Sequence, residues 1–253
     1  MNSFMPIRTC KLCQETRELQ RSHLVPSAMF RYASDARSPR PNTVVVSRRG
    51  RSAVVRHVTA HLLCSDCEQR FNNLGETWMM QQVWNGERFP LLDRLNVAME
   101  IRPFAGAVAY SGADCGIDTE KLGYFALSVL WRAAVRTWTT SKYSTERIEL
   151  KAFEEPIRLY LLGDGQFPAN VAVVATVCTD RYSRVFYLPA PASFPIPIPL
   201  QAFAFLALGV QFLIFTGPFA PTVACCVQSP QRLIFKRDCR QKTLEMFAEL
   251  IKQ

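Results

Sequence analysis

The sequence predicts an α+β chain in two parts, a small metal-knuckle domain over residues 1–85 and a larger mixed α+β domain over residues 86–253. Three observations predict it. Two Cys-x-x-Cys pairs, "CKLC" at Cys10/Cys13 and "CSDC" at Cys64/Cys67, bracket an insert that carries strand and turn signals. A stretch at helical spacing follows, "EKLGYFALSVLWRAAVRTW". The tail then holds several runs of β-branched and aromatic residues separated by glycine and proline.

The elements can be justified in chain order. "RSHLVPSAMF" reads as a short strand that delivers His23 to a fixed place, and "SDARSPRP" as a loop. Pro41 to Cys64, "PNTVVVSRRGRSAVVRHVTAHLLC", reads as two branched-residue runs around the turn "RRGR", a hairpin. "SDCEQRFNNLGETWMMQQVW" is helical, with Phe71, Leu74, Trp78 and Met79 or Met80 near one face. The stretch from Asn85 to Gly112 is the expected boundary. Glu120 to Trp138 is an amphipathic helix through Leu122, Phe125, Val129, Ala133 and Trp138. "EEPIRLYLLGDG" is a short helix stopped by Gly163 and Gly165, because glycine suits the left-handed position after a helix. "NVAVVATVC", "SRVFYLP", the run Ala202 to Phe215 and "RLIFKR" are strands, and "RQKTLEMFAELIKQ" is a closing helix.

Composition narrows the function classes. With 253 residues, 49% of them hydrophobic, the chain can bury a full core, which excludes a disordered protein. Its start, "MNSFMPIRTC", lacks the charged, apolar and small-residue regions of a signal peptide, so a cytoplasmic setting with reduced thiols is expected. The most apolar run, Ala202 to Phe215, is short of the roughly 20 residues a membrane helix needs and fits a buried strand or strand pair, so no membrane role is expected. Of the net charge of +9, seven units fall in residues 1–70, where twelve Lys/Arg meet five acids. Concentrated arginine suits a polyanion, because guanidinium matches phosphate in a bidentate way.

Zinc takes four soft or borderline ligands at a tetrahedral centre, and a Cys-x-x-Cys turn points two thiolates inward from one knuckle. Cys10, Cys13, Cys64 and Cys67 therefore form a candidate structural zinc site. Cys115, Cys178, Cys225, Cys226 and Cys239 show no ligand spacing and read as small core residues. All three histidines, His23, His57 and His61, lie between the knuckles. An imidazole near neutral pH can take a proton from water, which makes His23 a candidate general base.

The order "CKLC", "SHLVP", "HLLCSDCEQRF" resembles the HNH nucleases, also called ββα-metal or His-Me finger nucleases, in their zinc-stabilised form. The resemblance covers roughly residues 8–80 and implies an HNH-like ββα-metal domain over residues 1–85. It implies that His23 is the general base, that Ser22 takes the place of a metal-binding aspartate, and that Glu68 takes the place of an asparagine after the last cysteine. His61 falls where an asparagine helps hold hairpin and base in register. The implied activity is a metal-dependent endonuclease, with Mg²⁺ or Mn²⁺ held near Glu68 and Ser22, Glu76 or His61 helping. Arg48, Arg49, Arg51 and Arg56 of the hairpin would then hold flanking phosphates. The expected partner is nucleic acid, DNA ahead of RNA, in a bacterial setting such as defence against foreign DNA. Ser22 is a poorer ligand than aspartate, so the alternative is a knuckle that keeps its zinc and binds nucleic acid or protein without cutting. Residues 86–253 show no nucleotide loop, serine elbow or second metal cluster, and are expected to gate the knuckle or dock a protein partner. Trp131 and Trp138 read as core rather than as a base-stacking platform.

Overall fold

A computed structural model of the chain describes residues 5–33, 58–85, 88–104, 106–138, 148–179, 186–192, 200–218 and 226–238, with backbone alone at 43–47 and 50–54. The fold is α+β. Strands β1 (Ile7–Thr9) and β2 (Thr16–His23) pair antiparallel around a turn that carries the first cysteine pair. Gln14 closes that turn in the left-handed region, at φ 63°. Helix α1 (Ser27–Ala33) follows Pro26. Strands β3 (Thr43–Ser47) and β4 (Gly50–Val54) then form an isolated antiparallel hairpin.

Strand β5 (Thr59–Cys64) returns to pair antiparallel with β2, giving a three-stranded sheet in the order β1-β2-β5. The run from Pro41 to Cys64 thus holds three strands, not two. The third leaves the hairpin because it has its own apolar neighbours, with Val58, Leu62 and Leu63 all buried against the knuckle.

The second knuckle opens helix α2 (Ser65–Phe71), which passes through a π turn at Asn72–Glu76 into α3 (Thr77–Val83). The π turn changes the expected face: Phe71 and Met79 are buried, but Leu74 is 40% exposed. In its stead Gly75 is buried, and a Cβ built there would lie 3.1 Å from Cα of Phe125. Backbone cannot yield as a side-chain tip can. Gly75→Ala is therefore expected to cost about 1–3 kcal/mol, as overpacking does, which urea unfolding would measure; an unchanged midpoint would show that the two helices can part.

The stretch expected as a boundary is structured. It contains α4 (Pro90–Val97), β6 (Arg102–Phe104) and β7 (Ala107–Ser111). The remaining elements are α5 (Thr119–Val135), α6 (Glu154–Leu162), β8 (Val171–Cys178), β9 (Phe186–Ala192), β10 (Gln201–Ala207), β11 (Val210–Thr216) and β12 (Leu233–Arg237). They build a seven-stranded mixed sheet in the order β6-β7-β12-β8-β11-β10-β9, antiparallel except where β12 runs parallel to β8. The apolar run Ala202 to Phe215 is the strand pair β10–β11, turned at Leu208 and Gly209, both at positive φ, as a two-residue hairpin turn requires. Gly163 ends α6 at φ 89°. No helix of the described residues is long and apolar enough to cross a membrane. The expected closing helix lies outside the described residues.

Helix α5 begins where the Asp118 side chain caps the Lys121 amide at 3.0 Å. It departs from the expected amphipathic character, because fourteen of its seventeen residues are buried. A helix covered on all sides lies between layers. One face meets the π turn through Phe71, whose ring stands edge-on to Tyr124 and Trp131, and Phe125 packs on Phe205 and Phe212 of the large sheet. One continuous apolar core accordingly runs from Leu12 and Leu62 of the knuckle through α5 to Phe212 and Ile214. Trp131 and Trp138 are fully buried within it.

Candidate metal centre and the strand-end histidine

The two knuckles meet because β1–β2 and β5–α2 are stitched by backbone. The Lys11 amide donates to the Leu62 carbonyl at 3.1 Å, and the Cys64 amide donates to Cys10 Sγ at 3.3 Å. The Sγ atoms of Cys10, Cys13, Cys64 and Cys67 all lie within 4.8 Å of one another, and those of Cys13 and Cys64 are 3.9 Å apart. Four thiolates at about 2.3 Å from one ion stand about 3.8 Å apart. The cluster fits that spacing and can hold a metal ion such as zinc. One donor is biased toward charge: a hydrogen bond from the Cys67 thiol, then the N–H groups of Cys64, Cys13 and Leu12, hold the Cys10 thiol down at about 4 against the effect of burial, while that same hydrogen bond and burial push Cys67 up. Burial also pushes Cys13 up. Arg17 bridges the knuckles at the surface through Glu15 and Asp66, an exposed pair of small energetic weight.

The larger part of the chain holds this centre from behind. Arg158 of α6, fixed by two 2.7 Å bonds to Glu155, donates to the carbonyl of Leu12, between the first two cysteines. Arg70 of α2 reaches the glycine that ends α6, where a cation complements the helix dipole.

Next to the cysteines lies a buried polar group. Ser22, fully buried on β2, accepts the Leu63 amide at 3.1 Å. Glu68, from the first turn of α2, turns inward beside it. Burial pushes the Glu68 carboxyl up, while the Arg132 guanidinium and the Ser22 hydroxyl pull it back. Its Oε1 is buried and has no hydrogen-bond partner among the described residues. Arg132 of α5 is 1% exposed. It donates to Glu76 Oε1 at 2.5 Å and to the His23 carbonyl at 2.8 Å, and its guanidinium lies 5.2 Å from the Phe71 ring centre.

His23 is the last residue of β2, half-buried and paired in register with Thr59. Strand alternation places Arg21, His23, Thr59 and His61 on one face, opposite Ser22. Arg21 Nε donates to Thr59 Oγ1 at 2.8 Å, and His61 Nδ1 lies 3.2 Å from the Leu19 carbonyl. The structure thus brings Ser22 and Glu68 together and sets both His23 and His61 on the other face of the strand pair. Arg48, Arg49, Arg56 and His57 lie outside the described residues, and Arg51 is described in backbone alone, within β4. Cys115 is half-buried, Cys178 and Cys226 are buried, and Cys225 and Cys239 lie outside the described residues.

Sequence reading passed over Arg132 and Arg158. Their partners are 56, 109 and 146 residues away, so no local spacing marks them. The available signal is a charged residue within an otherwise apolar helix turn, "LWRAAV", where burial demands a partner. Comparison with known proteins finds no match to this chain among family models, curated proteins or solved structures.

Proposed function

We propose that residues 1–85 form a zinc-stabilised HNH-type endonuclease module that hydrolyses phosphodiester bonds, in DNA ahead of RNA. The observation that supports it best is the buried, unpartnered Glu68 oxygen beside Ser22, the residue directly before His23 at a strand end whose carbonyl Arg132 holds. An imidazole so placed can take the proton from a water molecule as the water oxygen bonds to phosphorus and the ester oxygen leaves. Glu68 would hold a hard divalent ion such as Mg²⁺ or Mn²⁺, since such ions accept one or two carboxylates and complete their shell with water and substrate oxygens. When bound, that ion would polarise the scissile phosphate. Ser22 contributes by orienting Glu68, since its own oxygen already accepts the Leu63 amide. Exposed Arg8, Lys11 and Arg21, with the hairpin arginines, supply the positive charge that a phosphate backbone needs.

His23→Ala is expected to lower cleavage about 10²–10⁴-fold, the usual weight of a general base, with zinc content and melting temperature unchanged. Equal rates for His23→Ala and the native chain would remove His23 from the chemistry. A second reading, binding of nucleic acid without cutting, is favoured by one observation. Among the described residues no group of three His, Asp or Glu donors converges outside the cysteine cluster.

A further inference from the structure

The Arg132 side chain touches both the strand end of His23 and Phe71 of the helix that carries Glu68. Its contacts come from four directions. Nε donates to the Ser128 carbonyl in its own helix at 3.2 Å, Nη1 to the His23 carbonyl and Nη2 to Glu76, and the guanidinium lies against the Phe71 ring. Trp138 Nε1 in turn donates to the Arg132 carbonyl at 2.8 Å, which fixes the end of α5. The planar fork uses separate N–H groups for each partner, a geometry that a lysine ammonium on a flexible stem does not reproduce. The π turn at Asn72–Glu76 is what brings Glu76 to this fork while seating Gly75 on α5. Such turns recur at functional sites.

We infer that Arg132 is the positioning residue of this site: from the larger part of the chain it fixes the end of β2, and with it His23, relative to α2. It touches neither the cysteines nor the solvent. Its role is therefore separable from zinc binding. The inference rests on the endonuclease reading only for its cleavage readout.

The test uses the full, zinc-loaded chain in two variants. In the double variant Arg132→Met with Glu76→Leu the buried ion pair is replaced by apolar side chains of similar volume, a change proteins commonly tolerate. Arg132→Lys keeps a charge for Glu76 but not the fork. Three quantities are read: bound zinc, cleavage of plasmid, and hydrogen exchange at two amides, Leu24 N–H bonded to Val58 beside His23 and Lys11 N–H bonded to Leu62 beside the cysteines. In both variants zinc should stay at the native level and Lys11 should exchange as before, while Leu24 exchanges at least 10-fold faster and cleavage falls at least 100-fold. Leu24 exchange unchanged in Arg132→Lys would overturn the inference, as would native cleavage by either variant. If the native chain cuts no substrate, the endonuclease reading fails, and the Leu24 to Lys11 contrast still decides the role of Arg132.

Discussion

Cys64→Ser is expected to abolish stoichiometric metal binding and to unfold the amino-terminal third of the chain. The native protein should carry one zinc per chain, measured by elemental analysis, and should give the tetrahedral thiolate spectrum when cobalt replaces zinc. Structural zinc contributes on the order of 10 kcal/mol to small thiolate sites. Losing one of four ligands forfeits much of this. The effect should be larger here than the loss of one thiol suggests, because the Cys64 amide also donates to Cys10 and the residue opens α2. Chelation of the native chain should expose the same region to proteolysis. A Cys64→Ser protein with native zinc content and native melting would show that the four thiols do not share an ion.

The second large effect concerns the division of the chain. Residues 1–85 expressed alone should not hold the native knuckle fold, even with zinc, and should aggregate or remain unfolded by circular dichroism. The reason lies at the back of the module. Phe71 and Met79 are buried against α5, Gly75 seats on Phe125, Arg132 bonds the end of β2, and Arg158 bonds Leu12 inside the first knuckle. Fully burying one large apolar side chain contributes about 1.5–3 kcal/mol, and the isolated piece loses several such burials together with both arginine clamps. On this account residues 86–253 serve the site first as its support. A soluble 1–85 fragment with dispersed, native-like NMR signals would instead make the larger part an attachment, free to gate or to dock a partner.

What could be read from the sequence was what is local. The cysteine knuckles announce themselves by three-residue spacing, and the metal cluster stands where that spacing put it. The hairpin β10–β11 was legible as an apolar run too short for a membrane helix. The glycine stop of α6 was legible because a left-handed residue is needed there. What could not be read is pairing at a distance. β5 joins β2 across an insert of 35 residues rather than its neighbour β4, and the preference is set by which strand has a buried face to complete. The hairpin β6–β7 sits in what composition marked as a boundary, because exposed edge residues such as Arg102 and Phe104 carry little of the alternation that identifies a strand. Helix α5 followed a helical period, yet its other face is also covered, since a second layer of the protein lies there. The candidate site divides the same way. Ser22 next to His23, and Glu68 after Cys67, were named from their order. Their meeting with Arg132 and Glu76 depends on a π turn and on a helix more than fifty residues further along.

The most direct measurement of the central claim is a time course of supercoiled plasmid and single-stranded DNA with the zinc-loaded native chain, with and without added Mg²⁺ or Mn²⁺. The endonuclease account predicts that nicked and then linear products accumulate only when the divalent ion is added. Plasmid left intact under every condition, with zinc bound and salt-sensitive DNA binding retained, would contradict it and leave the knuckle as a binding module.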